Sequence, residues 1–186
     1  MRIVSGLFKG KKILEPKDLK TRPLKDLTKE SIFNIIIHSN KFNISLNNAN
    51  ILDVFSGTGS FGLECLSRGS KLVVFIENYK EILPILRKNL NNLKEIKNYR
   101  IIENDAFKKF TFSEIENKFD IIFLDPPFKS ENLISLFENI QLSKILKKNG
   151  IIILHRHKNS KDNFPSFIKI LDEKKYGISR IFFISF

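Results

Sequence analysis

The stretch that most constrains the fold is residues 51–62, where a short apolar segment runs directly into closely spaced glycines. The apolar residues predict a buried β-strand, and helical spacing of apolar residues follows as far as about Arg68. Gly57 and Gly59 allow a tight turn with positive φ and leave room for a ligand close to the backbone. The free N–H groups of the first helical turn would face that ligand. The stretch therefore predicts a strand, a glycine loop and a helix around a ligand pocket.

The glycine spacing by itself fits more than one cofactor. Gly57-x-Gly59-x-x-Gly62 matches a dinucleotide-binding fingerprint. Glu77 follows 20 residues after Gly57, where an acid that binds a ribose belongs. Several nucleotide-like cofactors use this arrangement, so the loop alone leaves NAD open. A turn that needs glycine and binds nothing fits the order of strand, loop, helix and acid less well.

The charge of the chain indicates a polyanionic partner. Its 186 residues carry 32 Lys and Arg against 20 Asp and Glu, a formal net charge of +12. Nucleic acid is the commonest partner of such proteins, although a lysine-rich surface from a biased proteome predicts the same total. The N-terminus concentrates the charge, since residues 1–30 hold nine basic residues against four acidic ones.

Length and composition predict a globular protein of the cytoplasm. A chain with 42% hydrophobic and 28% charged residues can bury a full core. No apolar run approaches the roughly 20 residues that cross a bilayer, and the N-terminus lacks a signal-peptide pattern. The single cysteine, Cys65, excludes an internal disulfide and fits a reducing compartment. We expect Cys65 to be buried, the protein to be monomeric and no membrane to be bound.

A basic extension, residues 1–48, is expected to precede the main domain at residues 49–186. Residues 2–14 predict a β-hairpin with a turn near Gly6, and apolar residues at helical spacing predict a helix from about Asp26. Glycine and lysine along short strands suit an edge that lies against a phosphate backbone. The basic residues expected to bind nucleic acid are Arg2, Lys9, Lys11, Lys12 and Lys25.

From residue 50 onward, strand patterns alternate with helix patterns and predict an α/β fold. Repeated βα units require right-handed crossovers and a parallel sheet, while a strand pair at the end of the chain implies one antiparallel strand. The sheet should therefore be seven-stranded and mostly parallel. The strands are predicted at residues 51–55, 72–76, 100–102, 120–124, 150–154, 167–171 and 179–185. The helices among them are predicted at residues 61–68, 80–93 and 131–146.

A second motif, Asp125-Pro126-Pro127-Phe128, follows the fourth strand of this pattern, at the edge where open α/β sheets bind ligands. The two prolines hold the chain extended and remove two N–H donors, so carbonyl groups are left to face a cleft. Acceptor groups beside an aromatic face are what a planar exocyclic amine on a base requires. A turn with a buried aromatic residue is the simpler interpretation, but the neighbouring glycine loop favours an amine site. The predicted catalytic residues are Asp125, Pro126 and Phe128.

The glycine loop at residues 53–59 and the Asp-Pro-Pro-Phe motif together resemble the amino-methyltransferases that use S-adenosylmethionine. An oxidoreductase has no use for the second motif, so the pairing favours S-adenosylmethionine over NAD. The N-terminus narrows the resemblance to the RsmD family of bacterial 16S ribosomal RNA guanine-N2 methyltransferases, which implies a Rossmann-like class I methyltransferase fold. The matching residues outside the two motifs are Arg2-Ile3-Val4-Ser5-Gly6, Lys9-Gly10-Lys11-Lys12, Thr21-Arg22-Pro23, Asp26, Lys29-Glu30, Phe33-Asn34 and Lys175-Tyr176-Gly177.

The resemblance implies the partner and the cofactor-binding residues. The partner would be 16S rRNA, in the small ribosomal subunit or an assembly intermediate. Arg22, with the helix at residues 26–34, would close over the methionine group and the RNA. The other implied cofactor-binding residues are Asp53, Gly57 and Gly59 at the methionine end, Glu77 at the ribose, and Asp105 and Ala106 at the adenine.

One segment departs from the family pattern. The family often carries an acidic stretch after the fifth strand, where this chain has His155-Arg156-His157. The resemblance therefore assigns this segment no role; contact of the basic residues with RNA phosphate is the simplest interpretation. No metal site is expected there, because no third ligand cluster accompanies the two histidines.

Other functions remain open at this stage. A DNA adenine-N6 methyltransferase uses a similar Asp-Pro-Pro-aromatic site, although about 50 residues before the first strand of the sheet leave little room for a DNA-recognition region. Methyltransferases of small aromatic amines or of protein glutamine fit the charge of +12 poorly. A non-catalytic RNA-binding assembly factor would have no need of Asp125 or Glu77.

Overall fold

A seven-stranded sheet lies at the centre of the protein in a computed structural model, which describes residues 1–16, 24–108, 112, 115–127 and 132–186. The strands are β1 (Asn50–Val54), β2 (Leu72–Ile76), β3 (Tyr99–Ile102), β4 (Phe119–Leu124), β5 (Leu146–His157), β6 (Lys169–Tyr176) and β7 (Ser179–Ser185). The helices are α1 (Asp26–His38), α2 (Ser60–Ser67), α3 (Leu83–Asn91) and α4 (Leu133–Leu142).

The strand order is β3-β2-β1-β4-β5-β7-β6. Strands β1 to β5 pair in parallel, and β7 pairs antiparallel with both of its neighbours. The predicted mostly parallel sheet with one antiparallel strand is therefore confirmed. The order of the strands reverses at β1, whose neighbours are β2 and β4, and such a position is where open α/β sheets form a ligand crevice.

Helices cover both faces of the sheet, which explains why its central strands are mainly apolar on both sides. Ile51 and Phe123 belong to a cluster on one face with α1, α2 and α3, while Leu52 and Leu124 belong to a cluster on the other face with α4. Phe61 of α2 stacks on the ring of Phe123, with centroids 4.1 Å apart. Cys65 is fully buried in the first cluster, as predicted.

The N-terminal segment lies along α2 instead of forming a regular hairpin. Within residues 1–16 the antiparallel pairing is limited to one bridge, Arg2 to Lys12, with a few flanking backbone hydrogen bonds. The N–H groups of Val4 and Ser5 donate to the carboxylate of Glu64, at 2.7 and 2.9 Å. The segment contributes apolar side chains to the same cluster as α2. The division of the chain into an extension at residues 1–48 and a main domain at residues 49–186 stays a prediction.

Glu64 is fully buried and also faces the ammonium group of Lys29 of α1 at 3.7 Å. Burial lowers the pKa of Lys29, although Glu64 and Asp26 act in the opposite direction. The Lys29 ammonium donates to the Arg2 carbonyl at 2.7 Å. A single buried carboxylate therefore joins the N-terminal segment, α1 and α2.

Several element boundaries differ from the sequence prediction. The strand predicted at residues 150–154 spans Leu146–His157, and the helix predicted at residues 80–93 spans Leu83–Asn91. The helix predicted to reach residue 146 ends at Leu142, because Lys144 adopts a positive φ of 50° and β5 already begins at Leu146. The strand predicted to end at residue 171 continues to Tyr176. Its second half is rich in charged residues, which are common on edge strands. Because this half pairs with β7 through backbone groups, the sequence shows no apolar alternation there that would predict a strand.

In the ranges that the structure describes, no helix is both long enough and apolar enough to cross a membrane.

Glu64→Gln should lower the free energy of unfolding by about 3–5 kcal/mol, because it removes the buried counter-charge of Lys29 and leaves only Asp26, which is exposed. The matched control is Glu103→Gln, which breaks an exposed ion pair with Arg87 and should cost less than about 1 kcal/mol. Urea unfolding of both variants measures the difference. Equal losses would contradict the role assigned to Glu64.

Candidate active site

The loop between β1 and α2 adopts the predicted strand, glycine turn and helix. Gly57 and Gly59 have φ values of 55° and 80°. The Ser56 hydroxyl donates to the carbonyls of Asp53 and Ile76, at 2.7 and 3.1 Å, and ties the loop to the ends of β1 and β2. A Cβ on Gly62 would lie 2.3 Å from the ring of Phe75, so glycine is required for α2 to pack against β2.

Asp53 lies on β1 and is buried beneath this loop. Its Oδ2 accepts a hydrogen bond from the Gly62 N–H at 2.9 Å, which fixes the first turn of α2. Burial raises the pKa of Asp53 well above its usual value; the Gly62 bond opposes this change, and the charges of Asp125 and Glu77 reinforce it. Asp53 therefore anchors the glycine loop from below.

Glu77 follows β2 and lies against the glycine loop. Its Oε2 accepts from the Gly57 N–H at 2.7 Å, and its Oε1 accepts from the N–H groups of Asn78 and Tyr79 at 2.9 Å. The structure thus brings the predicted ribose acid to the loop, while its role toward a ribose stays a prediction.

Asp105 and Ala106 follow β3, the next strand of the same edge. Asp105 Oδ1 accepts from the Phe107 N–H at 2.9 Å, and the side chain of Ala106 is buried. The Phe107 ring lies 5.0 Å from that of Phe55, which has a φ of 60°. Sequence reasoning missed this aromatic pair; the only signal was one phenylalanine within the glycine loop at residues 53–59 and another directly after Ala106.

The Asp125-Pro126-Pro127 turn leaves β4 beside the glycine loop. The register places Val54 opposite Leu124, and the Asp125 N–H donates to the Val54 carbonyl at 3.3 Å. The side chain of Asp125 is 20% exposed, so its carboxylate is accessible from the cleft. Two of the predicted site residues, Phe128 and Arg22, lie outside the described residues.

His155 and Arg156, at the end of β5, are buried instead of facing solvent, with 6% and 3% exposure. The interpretation that this segment contacts RNA phosphate therefore does not apply to these two residues. His155 Nδ1 lies 2.9 Å from Asp125 Oδ1, and the Arg156 Nη1 donates to the Pro127 carbonyl at 3.2 Å. The register of the parallel sheet, which sequence reading does not show, turns both side chains onto the acceptor turn.

The basic residues predicted to bind nucleic acid are all exposed on the N-terminal segment and beside α1. Arg2 lies at the active-site end of this surface, because Lys29 links its carbonyl to Ser60, the first residue of α2. Lys12 is bridged to Arg2, whereas Lys11 donates to the carbonyl of Asn92 at 2.8 Å, just beyond α3. The exposed predicted set is Arg2, Lys9, Lys11, Lys12 and Lys25.

Among the described residues, no three His, Cys, Asp or Glu side chains are grouped closely enough to hold a metal ion.

Comparison with known proteins identifies the class and then the family. Ribosomal RNA small subunit methyltransferase D of Haemophilus influenzae is 33% identical over 183 residues, which cover 96% of this chain and 90% of that protein. The solved structure of yhhF from Escherichia coli, named as a candidate methyltransferase, has a TM-score of 0.81 and 27% identity, and the match covers 99% of this chain and 96% of that one. SMU.776, a candidate methyltransferase solved with S-adenosylhomocysteine, shares the fold, with a TM-score of 0.64, 19% identity and coverage of 85% and 49%.

The sheet, the glycine loop and these neighbours define a class I methyltransferase fold. The family model described as Conserved hypothetical protein 95 matches residues 1–185, and the chain belongs to this family, the RsmD family.

Asp53→Asn should remove a pH dependence of stability. Because the folded-state pKa of Asp53 is raised, the native protein binds more protons than the unfolded chain above about pH 4, and its stability falls as the pH rises toward the folded pKa. Asparagine can still accept from the Gly62 N–H but does not titrate. In urea unfolding between pH 5 and 8, the free energy of unfolding of the variant should increase relative to that of the wild type as the pH rises. The increase should be at most about 1.4 kcal/mol per pH unit.

The matched control is Asp172→Asn. Burial raises the pKa of Asp172, but hydrogen bonds from Lys41 and the Glu173 N–H lower it by more than burial raises it. The net pKa of Asp172 is therefore lowered. Asp172 is ionised in both states above pH 5, and its difference from the wild type should stay flat. A flat difference for Asp53→Asn would contradict the buried-acid interpretation.

Proposed function

We propose that the protein transfers the methyl group of S-adenosylmethionine to the exocyclic N2 of a guanine in 16S ribosomal RNA of the small subunit. The observation that carries the proposal is the placement of the Asp125 turn directly beside the glycine loop, at the point where the strand order reverses. The resemblance to the RsmD family and the name of the Haemophilus relative support the rRNA substrate.

The acceptor groups and the glycine loop at this edge fit S-adenosylmethionine. Gly57 and Gly59 open the backbone at the start of α2, and carboxylates follow β2 and β3 at Glu77 and Asp105. These carboxylates suit the ribose hydroxyls and the adenine amine, and a crowded set of acids favours a cationic ligand. The S-adenosylhomocysteine held by SMU.776 supports the same ligand class on this fold. When bound, the cofactor supplies a methyl group on a sulfonium, which is already a good leaving group.

On the substrate side, the chain contributes position and hydrogen-bond acceptors. Asp125 and the carbonyl of Pro126 would hold the two amine hydrogens, which turns the nitrogen lone pair toward the methyl donor. Asp125 would take the proton that the amine loses. Phe128 would stack on the base, which must leave its own stack to reach the turn.

The exposed basic residues of the N-terminal segment would hold the RNA backbone, with Arg2 and Lys12 at the active-site end. We further propose that residues 1–48 act as this RNA-binding part and residues 49–186 as the catalytic part. The protein would act as a monomer in the cytoplasm on the small subunit or an assembly intermediate.

The direct test is methyl transfer from labelled S-adenosylmethionine to unmethylated small subunits, protein-free 16S RNA and duplex DNA, with the product nucleoside identified by mass spectrometry. N2-methylguanosine from a ribosomal substrate is the expected product. N6-methyladenine from DNA, or cofactor binding without transfer to any substrate, would contradict the proposal.

Asp125→Ala should lower kcat by about 10²–10⁴-fold while leaving cofactor affinity nearly unchanged, because it removes the amine acceptor and the proton acceptor together. Asp120→Asn is the matched control, since Asp120 lies on the same strand at the opposite edge of the sheet and pairs with Lys147. Single-turnover transfer and calorimetric cofactor titration give the two quantities. Unchanged turnover in Asp125→Ala would contradict the assignment of the amine-binding site to this turn.

Reversing the charge of Lys9, Lys11 and Lys12 to glutamate should weaken RNA binding and reduce the slope of log affinity against log salt by up to about 2–3. Lys118, Lys144 and Lys148 are exposed near the opposite edge of the sheet, and their reversal changes the net charge equally. Binding measured at several salt concentrations separates the two triple variants. Equal effects would indicate that only total charge matters.

A further inference from the structure

The end of β5 holds the acceptor turn at two points. His155 and Arg156 are consecutive residues on a strand, so their side chains project to opposite faces of the sheet. Even so, each reaches the Asp125-Pro126-Pro127 turn: His155 contacts the Asp125 carboxylate, and Arg156 donates to the Pro127 carbonyl. The side chains of His155 and Arg156 are buried, whereas the contacts themselves are partly buried, because the Asp125 side chain is 20% exposed.

The contact between His155 and Asp125 follows from strand register. Leu124 of β4 is paired with Leu154 of β5, so the next residue on each strand, Asp125 and His155, continues the same pairing. The two side chains therefore lie side by side on one face, and Nδ1 meets Oδ1 at 2.9 Å. On the far side of the ring, Nε2 lies 2.9 Å from the Ser179 hydroxyl of β7. Each ring nitrogen is thus held by a different strand.

Arg156 fixes the other end of the turn. Its Nε donates to Asp162 Oδ1 at 2.8 Å, and the side chains of both residues are 3% exposed. The bond to Asp162 fixes the orientation of the guanidinium, which also donates to the Pro127 carbonyl. A turn with two prolines has few N–H groups of its own with which to fix its orientation. Groups from β5 supply the missing constraints.

We propose that His155 is a positioning residue for methyl transfer, which holds one oxygen of Asp125 through Nδ1–H and leaves the other to accept from the substrate amine. The inference rests on the proposed function and adds to it a residue outside the Asp-Pro-Pro-Phe motif. Arg156 supports the same geometry from the opposite face.

The assigned proton positions follow from the partners of the ring. An ionised carboxylate only accepts, so Nδ1 carries the proton toward Asp125. Nε2 accepts from the Ser179 hydroxyl when the ring is neutral and donates to it when the ring is charged. The bond to Asp125 is therefore made in both charge states, and His155 acts through this bond and not through its charge.

The ring is held in a field of opposing charges. Burial lowers the pKa of His155 and the charge of Arg156 acts in the same direction, but the charge of Asp125 and its hydrogen bond outweigh them, so the net pKa is raised. The pKa of the His155 imidazole therefore reports on its contact with Asp125 independently of catalysis.

The experiment compares side chains that place an N–H at different distances from the backbone. The amide nitrogen of His155→Asn sits one bond beyond Cγ, as Nδ1 does, whereas that of His155→Gln reaches farther, as Nε2 does. His155→Leu removes both ring nitrogens, and His38→Asn, at the exposed end of α1, is the matched control. The readouts are kcat, KM for the RNA substrate, cofactor affinity and thermal unfolding.

His155→Leu and His155→Gln should lower kcat by about 10²-fold with cofactor affinity unchanged, because Asp125 is no longer held in position. His155→Asn should stay within about threefold of the wild type, as should His38→Asn. Equal rescue by Asn and Gln, or unchanged turnover in His155→Leu, would overturn the inference, because a residue that only supports the fold would not discriminate between the two amides.

A second measurement separates this inference from the proposed function. The imidazole signal of His155, assigned by its loss in His155→Asn, should titrate above the ordinary histidine pKa in the wild type and shift downward in Asp125→Asn. An unchanged titration in Asp125→Asn would overturn the inference even if RNA methylation is found. A downward shift in a protein that methylates no substrate would leave the contact standing and overturn the proposed function.

Discussion

The parallel register between β1 and β4 is the constraint on which the site depends. Val54 lies opposite Leu124, so both strands end at the same level and the glycine loop and the Asp125 turn emerge side by side. The bond from the Asp125 N–H to the Val54 carbonyl closes this junction. A shift in register by one residue would turn Asp125 to the other face of the sheet and separate it from both His155 and the loop.

The same edge gathers acids that repel one another, and the backbone compensates for much of this repulsion. Asp53 is held by the Gly62 N–H, and Glu77 by the Gly57 N–H and two further donors. Asp125 is held by His155, a side chain from another strand. The negative charge that remains at this edge is suited to a cationic ligand, whereas the outer surface of the N-terminal segment is basic and suited to a polyanion. The two charge patterns thus separate the proposed cofactor side from the proposed RNA side.

Glu64 connects these two sides. It accepts from the N–H groups of Val4 and Ser5 and faces Lys29 of α1, while its own helix begins at the glycine loop. The basic segment is consequently packed on the helix that shapes the pocket, and Arg2 is brought to the active-site end of that helix. Burying an ion pair is costly without further hydrogen bonds, and here the two backbone N–H groups supply them.

The sequence by itself determined the succession of strands and helices along the chain, the glycine loop and the acceptor turn. These features depend on local apolar spacing and on residues with special backbone geometry. It did not determine the length of β6, whose charged residues pair through the backbone, or the bridge-like form of the N-terminal segment. It also misplaced His155 and Arg156, which look like a basic surface run and are instead buried. Only the tertiary structure decided their partners, because the register of β4 against β5 and the pairing of β7 are long-range properties that no local pattern encodes.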